Sequence, residues 1–463
     1  MSLDGSRSGA APRGPREMSL RFAAAAVRLL PVGVLSVLSL VPALEFGGSP
    51  WWRPGAADAL ALPVSPRDGG PFPAVVEQVR EQIPTAYTFS RAWIAETERK
   101  KEIRAQVARG EISLQGMSPA EVRRLTAVTG SRYVPVMLGK YSDTGADPIT
   151  AANLQTELFD GPWPTGTMTE YYDEISYGDI ALTGTVYNWV TTSNTDDYYC
   201  GGQWGIDPVN SKTGEFITEV LQANDPAVDF SVYDNDGPDN IPNSGDDDGF
   251  VDFVAIVHPD EGGECGPGPV HDMWSHRWQL TGWPQGIFTT NDARTGGGFI
   301  RVNDYTIMPA LSCGGSMIEI GVFCHEFGHA FGLPDLYDTS TQGANCTTDF
   351  SEGVGEWCLM GGGNWNSPES PAHMSAWAKT ELGWINPGVV AFDLPAWPIQ
   401  SATLTPTALK MWTNGTPGTE YFLVEYRTAH GFDAEIHAPG LLIWHIDENV
   451  SSNQSECHPK VDL

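Results

Sequence analysis

Charged and apolar positions recur at helical spacing in the first part of the chain. Acidic and basic side chains follow one another at three- and four-residue intervals along 90–111, which favours a solvent-exposed helix. A second helix is predicted over 118–128. Its start carries Ser118 as an N-cap, Pro119 in the first turn and Glu121 at the position that completes a capping box.

The pattern changes at residue 131, where apolar runs with alternating polar positions begin. Such runs predict strands. The segment 169–192 starts with helical spacing and alternates only in its second half. The predicted strands lie at the start of 132–143, in the second half of 169–192, and in 249–259, 420–427 and 440–448. The mixture of helices and strands predicts an α+β fold.

A further helix is predicted over 316–332, SMIEIGVFCHEFGHAFG. Ser316 can cap its first turn and Glu319 can complete a capping box. Gly332 can end the helix, because glycine adopts the backbone conformation that a helix end requires.

Two histidines and a glutamate on this helix form a candidate metal site. His325 and His329 are four positions apart and therefore project from one face, where both imidazoles can bind one zinc ion. Glu326 projects beside them as a candidate general base for an attacking water. Gly332 lets the chain leave the helix, and Asp335 can then return as the third ligand. Three protein ligands leave one coordination position open, as catalytic zinc requires.

Alternatives to this site stay open at the level of sequence. The third ligand could be Asp338, Glu352 or Glu356 if the chain after the helix followed another course. The segment could also be a buried helix whose histidines are satisfied by hydrogen bonds.

A second candidate cation site lies in 233–252, YDNDGPDNIPNSGDDDGFVD, which contains seven aspartates. Carboxylates at this density repel one another, and a hard divalent ion offsets the repulsion. Gly249 and Val251 fit a calcium loop, but no glutamate closes the loop, so this is not a regular EF-hand. The alternative is a solvated acidic loop. The expected Ca²⁺ ligands are Asp234, Asp236, Asp239, Asp246, Asp248 and Asp252.

Composition and charge exclude several classes of protein. The chain has 463 residues, of which 41% are hydrophobic, enough for two or three folded domains and too many for a disordered chain. The first 130 residues carry 16 of the 26 basic and 12 of the 58 acidic side chains, which leaves 10 and 46 for the remainder. Such an acidic body argues against nucleic acid and anionic membrane partners.

The N-terminus predicts export. Five arginines precede an apolar run at 29–44 that is interrupted by Pro31, Gly33 and Pro42, which fits a secretory signal better than a membrane span. An uncleaved anchor is the alternative. Export would permit disulfides, and the seven cysteines leave at least one thiol unpaired. We expect Cys324, beside His325, to be that thiol.

Four regions are predicted along the chain. They are a leader over 1–47, a helical propeptide over 48–130, a catalytic domain over 131–390 and a β-rich module over 391–463, which we expect to be incomplete. The helical region could instead be a subdomain of the mature protein. No cysteine precedes Cys200, so latency would need an acidic side chain or steric blockage in place of a thiol on the metal.

The string H-E-x-x-H-x-x-G-x-x-D resembles the metal helix of metzincin zinc peptidases, and CLMGGGNW (358–365) resembles their methionine turn. More narrowly, the chain is similar to the immune inhibitor A family of secreted bacterial metallopeptidases. The similarity rests on YVPVML, YYDEISYGDIALTGTVYNWV, the aspartate run, MWSHRW, HEFGHAFGLPDLYD, LMGGGNW and GLLIWHIDE, which span about 130–463.

The resemblance implies a zincin-like catalytic domain with a mixed sheet and an active-site helix, followed by a β-rich module. It implies Zn²⁺ on His325, His329 and Asp335, Glu326 as general base, Met360 as support, and structural Ca²⁺. Some metzincins place a tyrosine after the methionine turn to stabilise the transition state, and none follows Met360 closely here. His276 is a candidate replacement; the alternative is a packed or capping histidine.

These patterns predict a secreted zinc endopeptidase that acts on proteins or peptides as a monomer, without stable membrane association. Two other classes remain as alternatives. One is a zinc hydrolase of a non-protein substrate, which would lack a cleft for an extended backbone. The other is a calcium-stabilised binding or adhesion protein, in which a glutamate such as Glu326 would have no chemical role.

Overall fold

The computed structural model describes residues 92–265, 272–337, 353–393, 395–453 and 458–463. Outside these ranges lie the predicted leader over 1–47, the predicted propeptide before residue 92, Asp338, Glu352, Cys346 and Cys457. Within the described ranges, the helices are all too short or too polar to cross a membrane.

The secondary structure follows the order that the sequence predicts. The α-helices are α1 (Ala92–Ala108), α2 (Pro119–Thr126), α3 (Ala151–Gln155), α4 (Met168–Ile175), α5 (Asp196–Cys200), α6 (Thr213–Asn224), α7 (Ile320–Ala330) and α8 (Ala376–Glu381). The strands are β1 (Gly130–Lys140), β2 (Ile180–Thr191), β3 (Val254–Glu261), β4 (His276–Gln279), β5 (Phe288–Ala293), β6 (Phe299–Val302), β7 (Asp304–Leu311), β8 (Gly388–Val389), β9 (Leu409–Trp412), β10 (Glu420–Arg427), β11 (Gly440–Asp447) and β12 (Val461–Asp462).

The main sheet is mixed. Its strand order is β2-β1-β3-β7-β4, with β2, β1, β3 and β7 parallel and β4 antiparallel at one edge. A second sheet has the order β12-β11-β10-β9-β8, and β5 pairs with β6 separately. The expected mixed sheet and β-rich C-terminal region are both confirmed.

Both faces of the main sheet are buried, as is usual for parallel strands covered by helices. Val136 of β1 belongs to an apolar cluster that includes Phe327 of α7. The next residue, Met137, belongs to a second cluster that includes Phe216 of α6, because successive side chains of a strand point to opposite faces. The helix with the candidate metal ligands therefore packs on one defined face.

The C-terminal sheet shares this core. Trp444 of β11 lies in the same apolar cluster as Phe327. Arg427 of β10 is fully buried, pairs with Asp433, and donates from Nη1 to the carbonyl oxygen of Trp357 at 3.2 Å. The second sheet is thus attached to the segment that precedes Met360.

The first helix packs against two functional regions. Trp93 Nε1 donates to Asp252 Oδ2 at 2.9 Å, and Thr97 Oγ1 donates to the carbonyl oxygen of Phe331, just past α7, at 2.8 Å. The predicted helix is confirmed over Ala92–Ala108, but Trp93, Ile94 and Thr97 are buried, so the helix is not exposed along its whole length. Whether this helix belongs to a propeptide stays a prediction.

The start of the metal-site helix differs from the expectation. The helix begins at Ile320 with Glu319 as an N-cap that makes no side-chain capping bond, so the predicted cap at Ser316 is wrong. Ile318 N donates to the carbonyl oxygen of Ala310 at 2.9 Å, which keeps the chain extended beside the end of β7. A long-range backbone pairing therefore overrides the local capping pattern.

The cysteines include unpaired thiols, as the odd count requires. Cys265 and Cys313 form a disulfide, which joins the end of β3 to the segment after β7. Cys324 is a buried free thiol, as expected, and so are Cys200 and Cys358.

Two glycines let α7 approach its neighbours closely. A Cβ on Gly328 would lie 2.4 Å from Met360 Sδ, and a Cβ on Gly321 would lie 2.2 Å from the carbonyl oxygen of Asn364. Both distances are far below ordinary contact, so the helix and the Met360 segment pack directly on each other.

We expect Gly328→Ala to lower the free energy of unfolding by about 1–3 kcal/mol, because it overpacks a filled core. Equilibrium urea unfolding would measure the change. The loss should shrink in a Met360→Ala background, since the shortened side chain leaves room for the added methyl group. An equal loss in both backgrounds would contradict the direct contact.

Candidate metal centre

Helix α7 brings two imidazoles to one point. His325 and His329 are one turn apart and are 0% and 5% exposed. Their Nε2 atoms lie 3.1 Å from each other. The four-residue spacing has therefore placed two nitrogen ligands side by side in a buried position.

Asp335 completes the group. The chain leaves the helix at Gly332, which has a φ of 89°, and then turns back. Asp335 Oδ1 lies 3.2 Å from His325 Nε2 and 3.3 Å from His329 Nε2. Of the alternative third ligands, Glu356 pairs with His437 instead, while Asp338 and Glu352 are outside the described residues.

Backbone carbonyls fix both histidine rings. His325 Nδ1 donates to the carbonyl oxygen of Leu359 at 2.9 Å, and His329 Nδ1 donates to that of Leu333 at 2.7 Å. A carbonyl can only accept, so the hydrogen of each neutral ring lies on Nδ1 and both Nε2 lone pairs face the centre. Burial lowers the pKa of His329, although Asp335 opposes this, which favours the neutral ring.

The three atoms fit a zinc ion. Two lone pairs and a carboxylate oxygen at 3.1–3.3 Å repel one another unless a cation lies between them. Tetrahedral ligands with bonds of about 2.0–2.1 Å are about 3.3–3.4 Å apart, which matches this spacing.

Glu326 lies beside this group and has no hydrogen-bond partner among the described residues. It is 0% exposed, and neither carboxylate oxygen accepts a hydrogen bond from the described residues. Burial raises its pKa well above the usual range, Asp335 and Glu264 add to the effect, and Arg277 opposes it. A buried carboxyl group to which no described residue donates a hydrogen bond is suited to contacting a bound molecule.

The charged surroundings of Glu326 were missed by sequence reasoning. Arg277 of β4 pairs with Asp304 of β7 at 3.4 Å, and both side chains are buried. Glu264 accepts a hydrogen bond from Ser275 N at 3.1 Å. These residues lie up to 62 positions from Glu326 in the sequence, so no local pattern could have connected them.

Met360 lies in a turn that supports both parts of the site. Its carbonyl oxygen accepts from Leu336 N at 2.8 Å, next to Asp335, and the preceding residue, Leu359, orients His325. The side chain is fully buried against Gly328. The segment thus holds the helix and the third ligand together.

His276 occupies a different environment. Its Nδ1 lies 2.7 Å from the carbonyl oxygen of Trp274, and its Nε2 lies 3.0 Å from the hydroxyl of Tyr305. The ring is fully buried, and burial lowers its pKa to about 4. Both nitrogens are engaged inside the protein, so the geometry favours a packed histidine over a transition-state donor.

The acidic run forms a second cluster. Carboxylate oxygens of Asp234, Asp236 and Asp247 all lie within 4.8 Å of one another. Asp234 is 0% exposed, and neither of its oxygens has a hydrogen-bond partner in the described part of the chain. Burial and the neighbouring carboxylates raise its pKa to about 8. Calcium–oxygen distances of about 2.3–2.6 Å fit such a cluster.

Only part of the expected calcium set enters this cluster. Asp252 accepts from Trp93 and from Asn235 N, while Asp239, Asp246 and Asp248 are exposed. Asp247 joins the cluster although the loop pattern skipped it; its oxygens also accept from Gly237 N and Ser244 N. The composition signalled the cluster, but the irregular course of the loop decided its members.

Known proteins share the part of the chain that carries these sites. Residues 156–386 match the family model described as immune inhibitor A peptidase M6, catalytic domain. Immune inhibitor A of Bacillus thuringiensis subsp. alesti is 33% identical over 213 residues, which are 43% of this chain and 28% of that protein. The pre-pro-metalloprotease PrtV of Vibrio cholerae serotype O1 is 30% identical over 266 residues, which are 52% of this chain and 27% of that protein.

The chain therefore spans little more than a quarter of the length of these curated relatives. The family match includes α7, Asp335 and Met360, which belong to the candidate metal centre. The chain belongs to the immune inhibitor A peptidase family through this catalytic domain.

Proposed function

We propose that the protein is a zinc-dependent endopeptidase, with His325, His329 and Asp335 as ligands of one Zn²⁺. The observation that carries this proposal is the set of three ligand atoms at 3.1–3.3 Å, with both rings oriented through Nδ1. When bound, Zn²⁺ supplies Lewis acidity, which activates water near neutral pH and polarises a carbonyl group.

Glu326 is the proposed general base. It accepts a proton from the attacking water and delivers that proton to the amine leaving group. Its two oxygens have no internal donor among the described residues, so both are available to the water. His276 is left out of this mechanism, because both of its ring nitrogens are engaged.

The fold supports a metzincin-like catalytic domain that acts on polypeptides. The mixed sheet ends in the antiparallel strand β4, which also contacts α7. The match of residues 156–386 to a peptidase catalytic domain supports a polypeptide substrate. The buried turn around Met360 beneath α7 supports the same assignment.

The remaining organisation is proposed from the sequence with structural support. A leader over 1–47 would export the protein, in agreement with the disulfide between Cys265 and Cys313. The proposed catalytic domain over 131–390 contains the family match over 156–386, and β1 starts at Gly130, beside its proposed first residue. Residues 48–130 would be a propeptide and 391–463 a β-rich module.

Calcium is proposed to bind the cluster of Asp234, Asp236 and Asp247. The buried carboxylate of Asp234 has no internal partner in the described residues, which is unfavourable without a cation. Because Trp93 donates to Asp252 in the same loop, the ion would also stabilise the contact with α1.

Glu326→Gln should lower casein hydrolysis by about 10²–10⁴-fold, because it removes the general base while preserving side-chain size. Zinc content, measured by mass spectrometry, should stay at the parent level. Glu319→Gln is the matched control on the same helix and should retain activity. Parent-like hydrolysis by Glu326→Gln would contradict the proposed role.

Chelation by EGTA should lower the melting temperature of the parent protein, since a bound ion stabilises only the folded state. Asp234→Asn should melt at a lower temperature in calcium and respond less to EGTA. Asp239→Asn, an exposed aspartate of the same run, should behave as the parent. A melting curve of the parent that EGTA leaves unchanged would count against calcium.

A further inference from the structure

A third group of acidic side chains lies outside the acidic run and the zinc site. Carboxylate oxygens of Asp196, Asp260 and Asp272 are all within 4.8 Å of one another, and all three residues are partly buried. Asp196 starts α5, Asp260 lies near the end of β3, and Asp272 precedes β4. The fold has therefore gathered them from three separate parts of the chain.

A buried hydroxyl group lies close to this cluster. Tyr141 is 1% exposed, and its hydroxyl has no hydrogen-bond partner within the ranges that the structure describes. Burial raises the pKa of this hydroxyl well above its usual range, and the nearby Cys200, Asp196, Asp260 and Asp272 raise it further. Buried tyrosine hydroxyls are normally hydrogen-bonded, so this one points to a ligand at the cluster.

The electrostatic surroundings favour a cation. Burial raises the pKa of Asp260 to about 6, and Asp272 and Asp143 raise it further. Burial also raises the pKa of Asp196 to about 7; the hydrogen bond from Cys200 opposes this, and the carboxylates of Asp260 and Asp272 add to it. Ionised carboxylates this close repel one another, and a divalent ion offsets that repulsion.

The donor atoms favour a hard ion. Oxygens on opposite sides of Ca²⁺, at about 2.3–2.6 Å each, are up to about 4.6–5.2 Å apart, which includes the spacing of this cluster. The nearby thiol of Cys200 donates to Asp196 Oδ1 at 2.9 Å, so it carries its hydrogen and is no thiolate ligand. A soft metal is therefore disfavoured.

We propose that Asp196, Asp260 and Asp272 bind a Ca²⁺ ion, with the Tyr141 hydroxyl in the polar wall of the site. This second calcium site is independent of the zinc chemistry. The ion links the end of β3 to the start of β4. The connection between these strands carries Glu264 and leads to Arg277, the two residues whose charges act on Glu326 together with Asp335.

The test is the calcium content of the full chain after EGTA treatment and dialysis against Ca²⁺, with zinc measured in parallel. The parent should bind two calcium ions, one for each aspartate cluster. Asp260→Asn and Asp234→Asn should each bind one, and the double variant none. Asp197→Asn removes the same charge one residue from Asp196 and should bind two.

The outcomes separate this site from the other proposals. If Asp260→Asn binds as much calcium as the parent, the second site is overturned. If the parent binds a single calcium ion and Asp234→Asn removes it, the second site is also overturned. If the parent binds a single calcium ion and Asp260→Asn removes it, the second site is supported and the Asp234 site is contradicted. Zinc content and casein hydrolysis report on the catalytic proposal separately.

Tyr141→Phe tests the site without removing a charge, in case Asp260→Asn fails to fold. The ring keeps its packing and only the hydroxyl is lost. Isothermal titration with Ca²⁺ should give about fivefold weaker binding at one of the two sites, the effect of one lost hydrogen bond. Unchanged affinity at both sites would overturn the part assigned to Tyr141.

Discussion

The orientation of two imidazole rings is the constraint on which the metal centre depends. The carbonyl oxygens of Leu359 and Leu333 accept from the Nδ1 atoms of His325 and His329, which turns both Nε2 lone pairs toward Asp335. These carbonyls lie in the two segments that flank the helix in space. The Met360 turn and the exit at Gly332 are therefore parts of the site, because they supply the acceptors that define it.

The same packing leaves Glu326 without a hydrogen bond from the part of the chain that the structure describes. A buried carboxyl group in that state is unfavourable by about 1–3 kcal/mol or more, so a folded protein keeps one only where the surroundings hold it in place. Here the buried pair of Arg277 and Asp304 lies on the strands next to the helix. The buried Glu326 carboxyl group thus lowers the stability of the fold at the residue for which proton transfer is proposed.

The sequence predicted what depends on local spacing. The spacing of one helical turn predicts that His325, Glu326 and His329 lie close together. Gly332 predicts a turn that brings Asp335 back to them, so this prediction needs little knowledge of the rest of the fold. The predicted cap at Ser316 was wrong because pairing with the end of β7 extends the chain there. The cluster of Asp196, Asp260 and Asp272 was not predicted at all, since only the three-dimensional fold brings its members together.

X-ray absorption at the zinc edge of the full-length protein tests the central claim most directly. The account predicts one zinc ion with two imidazole nitrogens and otherwise only oxygen ligands, all at about 2.0–2.1 Å. Replacing Asp335 with alanine should remove one of the oxygen ligands and weaken zinc binding. A sulfur ligand at about 2.3 Å, which the buried thiols of Cys324 or Cys358 could supply, would contradict the account, as would a protein that binds no stoichiometric zinc.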